Sequence, residues 1–554
     1  VTLLRLDGTV LNVTDSPIPR SARIKYTLGG AMAEEADRTA LEATIAVRDA
    51  AAAAIAGTYA WAANYLSVVF TPSLKLGYGA AYTVAIDGED DQTFATMTRR
   101  DMDGDGYADA VVGAYFAPYD TLSDVPGPGS AYVFLGSATG IADCDPVAAA
   151  CISTTTSGVA TLDYFGRSVA VGDVNGDGYE DLIVGAPYTP SNDKNGAVYV
   201  HLGSISGISA TAATTIGGEV TNNYLGDSVF TGDVNGDGYD DVIAGASGSS
   251  KDVGNPNGKA YVFLGSAAGI ANCTVGDGAC EDTTATGEAS GDQLGTSVSA
   301  GDVDGDGYDD LIVGAYTAPG EDLHDGAAYV LLGSATGIAD CDLSGTCIAD
   351  TTITGATDSY FGYSVSAGDV DGDGYADLIA GAWGASTNAG ATYVFPGSAT
   401  GIADCTIDGT CAAFHATIAG AVSNDRFGYS VSAGDVNDDG YEDLIVGASV
   451  VAGEEGEKYG AAYVFLGSII GISGTATTTM TGAAADDVLG TSVSTAGDVN
   501  GDGFDDVLVG AIGAPGGARN GAAYIFLGSA SGTLNTAATT ITGATASDTL
   551  GIVR

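Results

Sequence analysis

Histidine is almost absent from this chain of 554 residues: only three occur, and 17 lysines and arginines face 71 acidic residues. A histidine-rich catalytic metal centre is excluded by composition. The net charge of −54 leaves no basic stripe to pair with phosphates, so nucleic acid and anionic membrane surfaces are excluded as partners. Apolar runs are short, and none is long enough to span a bilayer. Cysteine is sparse too. The eight present fall into four close pairs, Cys144/Cys151, Cys273/Cys280, Cys341/Cys347 and Cys405/Cys411. No pair has the short zinc-type spacing, so four local disulfides are expected, and with them an oxidising, extracellular or cell-surface location.

What the chain has in excess is glycine, 85 residues, and one acidic phrase repeated seven times. The phrase Asp-x-Asp/Asn-x-Asp-Gly-Tyr/Phe-x-Asp starts at Asp101, Asp173, Asp233, Asp302, Asp369, Asp435 and Asp498, at intervals of 60 to 72 residues. That interval matches one four-stranded blade with its loops, and seven copies predict a closed ring of seven blades. Around Asp369, a run beginning Phe361-Gly362 enters the loop and Asp377 to Ala382 leaves it, which reads as a hairpin. Two more strands follow, at Ala391 to Phe395 and Phe414 to Ile418. A Gly-Ala pair recurs after each loop, as at Gly185, and its small residues allow close backbone approach. In the seventh copy Leu489 stands one residue too far from Asp498, and the extra residue near Thr495 predicts a bulge.

The phrase gathers hard oxygen donors on a tight glycine turn, which suits calcium rather than zinc or copper. Three loops offer aspartate at every side-chain position: Asp101, Asp103, Asp105 and Asp109; Asp302, Asp304, Asp306 and Asp310; Asp369, Asp371, Asp373 and Asp377. Two others place asparagine third: Asp173, Asn175, Asp177 and Asp181, then Asp233, Asn235, Asp237 and Asp241. So do the last two, with Asp435, Asn437, Asp439 and Asp443, then Asp498, Asn500, Asp502 and Asp506. A backbone carbonyl from Tyr107, Tyr179, Tyr239, Tyr308, Tyr375, Tyr441 or Phe504 completes each set. About seven calcium ions follow, with a structural role. An EF-hand is rejected because its twelfth position needs an acid, and valine or alanine stands there in every copy, as at Val184.

With Phe165-Gly166, the loop Asp173 to Asp181 and Gly185-Ala186-Pro187 as one nearly complete copy, the chain resembles the FG-GAP repeat family, best known from integrin α-subunit heads. The resemblance covers roughly residues 77–554. It implies an all-β, seven-bladed propeller with calcium in hairpin loops on one face and, in adhesive relatives, ligand recognition on the opposite face. Residues 1–76 show no familiar module and are expected to form an N-terminal arm, partly helical or extended, because Ala31 to Ala63 is rich in alanine with few breakers. The phrase Gly79 to Val84 copies a later blade strand and is expected to close or cap the ring. Ser547 to Gly551 begins another blade and stops, as a cut chain or as a stub lying across the seam.

No catalytic residue is predicted. His201 occupies the place held by Phe134 and Phe263 in sister strands, so it reads as a packing residue. The expectation is a secreted recognition head that binds protein or glycan at a surface. The alternative is a structural subunit of a surface layer, sheath or filament, whose partners are copies of itself.

Overall fold

The computed structural model describes residues 100–553 apart from 120–124, 145–151, 191–192, 220, 249–256, 277–279, 319–323, 346, 408, 410, 412–415, 451–458, 516–519 and 545–546. Of residues 1–99 it describes only the backbone of eight strands. Five of these form one sheet, and Ile45–Arg48 pairs with Ala81–Ile86, which pairs in turn with Gln92–Ala95. In the alanine-rich segment expected to be helical, the described residues are the strands Ile45–Arg48 and Gly57–Trp61. The rest of that segment lies outside the described residues.

The remainder is a seven-bladed propeller. Each blade is an antiparallel meander in which the first strand enters the acidic loop and the second leaves it, as in Ser168–Gly172 paired with Asp181–Ala186. The third and fourth strands are Ala197–His201 and Thr214–Gly217. First strands of successive blades touch one another around the axis, and the circuit closes when Leu489–Gly497 of blade 7 meets Leu550–Val553, which meets Ser168–Gly172 of blade 2. Leu550–Val553 is the first strand of blade 1, paired with Ala110–Ala114. The stub therefore lies across the seam and closes the ring. The strand containing Tyr82, expected in that role, pairs instead with Ile45–Arg48 and Gln92–Ala95 in a separate three-stranded sheet. The predicted bulge is present, with the register shifting between Thr495 and Gly497.

The core lies between blades, not within them. Alternation along each strand sends side chains to both faces of a sheet, and each face packs on a neighbouring sheet. Leu182, Val184, Phe165 and Val169 of blade 2 pack with Val111, Ala131 and Val133 of blade 1. A comparable cluster fills each of the other six junctions, and Ile525, Ile541, Leu550 and Val112 fill the one at the seam. Such wedges need the sheets close together, which the Gly-Ala pair permits. A Cβ on Gly185 would collide with the carbonyl oxygen of Gly226 in the next blade, and the same contact recurs from Gly113–Gly166 through Gly510–Gly551. Serine hydroxyls add hydrogen bonds at this joint, from Ser228 to the Gly295 carbonyl at 2.8 Å and from Ser492 to that of Gly551 at 2.6 Å.

The disulfide loops do more than pin themselves. Cys273–Cys280, Cys341–Cys347 and Cys405–Cys411 form as expected, and Cys144 is also disulfide-bonded, while Cys151 lies outside the described residues. Each loop lays a short parallel strand on the outer edge of the preceding blade: Cys273 beside Ile216, Cys341 beside Ala285 and Cys405 beside Ile353. Cys144 makes the same bridge to Ile541 across the seam, donating its N–H to the Thr540 carbonyl and accepting from the Thr542 N–H, both at 3.0 Å.

Candidate functional site

The acidic loops are built from the first carboxylate outward. Asp101 accepts N–H bonds from Gly104, Asp105 and Gly106, and Asp498 does the same from Gly501, Asp502 and Gly503. The fifth-position carboxylate accepts the N–H of the seventh residue in all seven loops, at 3.0 to 3.2 Å. That turn needs left-handed backbone at two positions, supplied by Gly176 at φ 68° and Gly178 at φ 90°. Asp438 takes the first of these places in blade 6 at φ 54°.

The ninth-position aspartate ties the hairpin to the rest of its blade. Asp181 accepts the Val174 N–H at 3.1 Å through Oδ2 and the Gly203 N–H, beyond the third strand, at 2.8 Å through Oδ1. The same brace recurs at Asp109, Asp241, Asp310, Asp377, Asp443 and Asp506. These carboxyls are fully buried or nearly so. Burial raises Asp109, Asp241 and Asp310 to about 8 and Asp377, Asp443 and Asp506 to about 7, with neighbouring aspartates adding to the rise. Asp181 is pushed well above the ordinary range by burial and then by Asp173.

Carboxylate oxygens converge within 4.8 Å at Asp101, Asp103 and Asp109, at Asp302, Asp304 and Asp306, and at Asp369, Asp371 and Asp373. These are the three loops with aspartate at the third position. Where Asn175, Asn235, Asn437 or Asn500 stands there, an amide oxygen replaces one carboxylate, as in Asn175 Oδ1, which accepts the Asp177 N–H at 2.8 Å. Buried, mutually repelling carboxylates on a glycine turn have the hard-oxygen chemistry that fits a calcium-sized cation. Side-chain oxygens of the first, third, fifth and ninth residues, with the seventh carbonyl, would hold it. The ion would supply the missing positive charge.

Neighbouring loops are also joined. The N–H of the eighth residue donates to the backbone carbonyl of the first aspartate in the preceding loop, as in Asp240 to Asp173 and Asp309 to Asp233, both at 3.0 Å. The chain of bonds closes through Ala108 to Asp498. Tyr308 packs on the turn of blade 3, where a Cβ on Gly236 would lie 2.6 Å from its ring, and Tyr375, Tyr441 and Tyr107 repeat this on Gly305, Gly372 and Gly501. In the same order Asp438 faces the blade of Phe504. The two departures from the repeat thus fall at one joint.

Strand direction puts the opposite end of the ring at the residues before each first strand and after each second strand. Aromatic side chains collect there. Tyr115, Phe116, Tyr164, Tyr188 and Tyr224 form a contiguous set across blades 1 to 3. Across blades 4 to 6, His324 stacks on Tyr360 at 4.7 Å and Tyr360 on Trp383 at 4.3 Å, with the Arg426 guanidinium 4.9 Å from the Trp383 ring. Between the sets the axis holds a cavity of about 220 Å³ lined by Arg167, Asp227, Tyr363 and Tyr429. Burial alone would lower the Arg167 pKa, but Asp227 and surrounding tyrosines outweigh it and hold the guanidinium charged. The Tyr363 and Tyr429 hydroxyls are 2.9 Å apart. Sequence reading missed these residues because the positions recur but their residue types do not: the place of Tyr164, Tyr224 and Tyr360 is held by Gln293 and Arg426 in other blades, and that of Tyr115 and Trp383 by Ser247 and Ser449. His201 packs as expected, buried against Phe165 with Nδ1 2.9 Å from the Ser209 carbonyl.

The FG-GAP repeat model matches residues 165–201, 225–263, 294–331, 361–395, 427–465 and 489–526, one copy in each of blades 2 to 7. Six of the seven blades are FG-GAP repeats. Blade 1 escapes the match because its copy is split between Leu550–Val553 and Ala110–Phe134. This FG-GAP chain is similar to integrin alpha pat-2 of Caenorhabditis briggsae, 32% identical over 238 residues, 40% of this chain and 18% of that protein. Integrin alpha-5 of Xenopus laevis is 33% identical over 237 residues, 40% and 20% respectively. Integrin alpha-IIb of Mus musculus is 37% identical over 172 residues, 29% and 16%. The matched segment thus spans about a fifth or less of those relatives. A rhamnogalacturonan lyase structure aligns at a TM-score of 0.33 and 14% identity over 89% of this chain and 71% of its own, a level that implies neither fold nor chemistry. The disulfides and the integrin-like repeats place the product outside the cell or at its surface.

Proposed function

We propose that this FG-GAP propeller is an extracellular recognition head for adhesion, binding protein or glycan through its aromatic end while calcium in the acidic loops stiffens the other end. The observation that carries the reading is the division of labour between the two ends. One is crowded with carboxylates and braced from loop to loop, and the other gathers half-buried rings around Trp383 and Tyr164. Aromatic rings give large contact area with few rotors to freeze, which suits recognition. The role assigned to calcium is structural, and no residue is given a catalytic part.

The test is retention of the protein on arrays of extracellular-matrix proteins and glycans in calcium. Trp383→Ala and Tyr164→Ala should each lower retention on the best ligand about tenfold, the range of an aromatic hot spot, with melting unchanged. Retention indifferent to both substitutions would remove the aromatic end from the reading.

A further inference from the structure

The disulfide loops reveal a repeated seat that is not filled everywhere. On blades 2, 3, 4 and 7 the outer strand carries a parallel fifth segment, and its outward N–H groups are taken. Thr284 donates to Asp340 Oδ1 at 2.8 Å, Thr352 to Asp404 Oδ1 at 2.7 Å and Thr540 to Asp143 Oδ1 at 2.8 Å. The following loop residue returns a bond, as Leu343 N–H does to the Thr286 carbonyl at 3.0 Å. The outward positions are half-buried on the covered edges of blades 3, 4 and 7, as at Thr352 and Thr354, while Thr215 on blade 2 stays exposed.

Blades 1, 5 and 6 differ. Their outer strands, Thr154–Ser157, Ala416–Ala419 and Thr478–Thr481, have no fifth segment among the described residues, and the outward residues Thr155, Ser157, Thr417, Ala419, Thr479 and Thr481 are all exposed. The loops that would cover them belong to blades 2, 6 and 7, which lack cysteine. The open edge of blade 1 stands alone between covered neighbours, whereas those of blades 5 and 6 lie side by side. Where the disulfide loops carry Ala267-Ala268 or Ala399-Thr400, the blade 6 loop carries Ile469 and Ile470, 76% and 85% exposed, and the blade 7 loop exposes Leu534. Two adjacent open edges without a charged side chain, flanked by exposed isoleucines, form a template for strand addition, which such edges otherwise avoid with lysine or proline.

We propose that the outer edges of blades 5 and 6 take up an extended strand from another polypeptide, uncharged where it pairs and basic at its amino-terminal flank. The four filled seats give its direction, parallel to the outer strand. An added strand therefore starts at the end of the ring where the acidic loops lie. The net charge of −54 on this chain selects lysine or arginine on that flank and disfavours a second copy.

The experiment uses the whole protein in calcium and a fluorescent threonine–valine peptide with two lysines at its amino end, read by anisotropy. The same peptide with two glutamates there should bind about tenfold more weakly, as should the lysine peptide on Ala419→Pro/Thr481→Pro, which removes two outward donors. Thr354→Pro, on a covered edge, should leave peptide binding unchanged. If the double proline variant misfolds, Ile469→Asp/Ile470→Asp replaces it with the same expected loss. Equal binding by the open-edge variants, or by the glutamate peptide, overturns the proposal. So does self-association of the unmodified protein that Ala419→Pro/Thr481→Pro abolishes, since the occupant would then be a second copy. Trp383→Ala should not affect the peptide, which keeps this outcome separate from that of the aromatic end.

Discussion

Replacing Asp181 with asparagine should cost much more stability in calcium than in chelator. The carboxylate accepts two backbone N–H groups, from Val174 at 3.1 Å and Gly203 at 2.8 Å. Asparagine keeps one acceptor, but its amide nitrogen then meets a donor, so one buried N–H is stranded at about 1–3 kcal/mol. In chelator that loss is partly offset, because burial and Asp173 make the charged carboxylate unfavourable there. In calcium at a hundredfold excess over Kd, losing one site costs about 2.7 kcal/mol more. The expected destabilisation is therefore about 4–6 kcal/mol in calcium and at most about 1–3 kcal/mol in chelator. Urea unfolding at fixed ionic strength measures both, and hydrogen exchange should place the loosening in blade 2 and, through the loop-to-loop bonds, in its neighbours. Equal losses in the two media would make Asp181 a hydrogen-bond brace and remove it from the ligand set.

Acidity offers a second check. Because Asp109, Asp241, Asp310, Asp377, Asp443 and Asp506 have folded values of about 7 to 8, above the ordinary carboxyl value of 3.8, their contribution in chelator is full below about pH 4. It is lost as pH rises through 7 to 8, so melting in chelator should fall across that window, while calcium flattens or reverses the trend; a flat profile in chelator refutes the buried-carboxyl account. Asp438→Gly should stabilise blade 6 by about 0.5–1 kcal/mol by relieving left-handed backbone at φ 54°, and an unchanged melting temperature would mean that Asp438 is held there without strain. Leu550→Ala, at a side chain 1% exposed, should cost about 2–5 kcal/mol and raise hydrogen exchange first in Ala110–Ala114, whereas wild-type exchange there would show the seam to be held by other contacts.

Much of this architecture was legible in the chain because the repeat writes its grammar locally. Hairpin, loop and Gly-Ala pair lie within about twenty residues of one another, as from Ser168 to Ala186, so Gly185 signalled close approach without revealing its partner, the carbonyl of Gly226. The opening phrase at Leu550 left a cut chain and a seam strand as alternatives, since pairing with Ala114 is a relation between distant segments that no local pattern contains. The cysteine spacing indicated bridges, but their loops seat on the preceding blade, and that register is set by the neighbour's edge. Asp438 and Phe504 each depart from the repeat, and only ring order puts them at one joint. The aromatic end was illegible for the same reason: Tyr360, Trp383 and Arg426 are far apart in the chain, and only blade stacking brings them together.

The last strand also sets an order of events during synthesis. Blade 1 is the first blade to leave the ribosome and the last to be completed, because Ala110–Ala114 waits for Leu550–Val553. Until then its second strand presents an open edge, and Met102, Val111 and Val133 can bury themselves only against blade 2. A nascent ring is thus a crescent that lengthens one blade at a time from a half-finished start. Its two ends find each other only after blade 7 has folded, so arrest of translation anywhere before Leu550 leaves both ends of the crescent exposed at once.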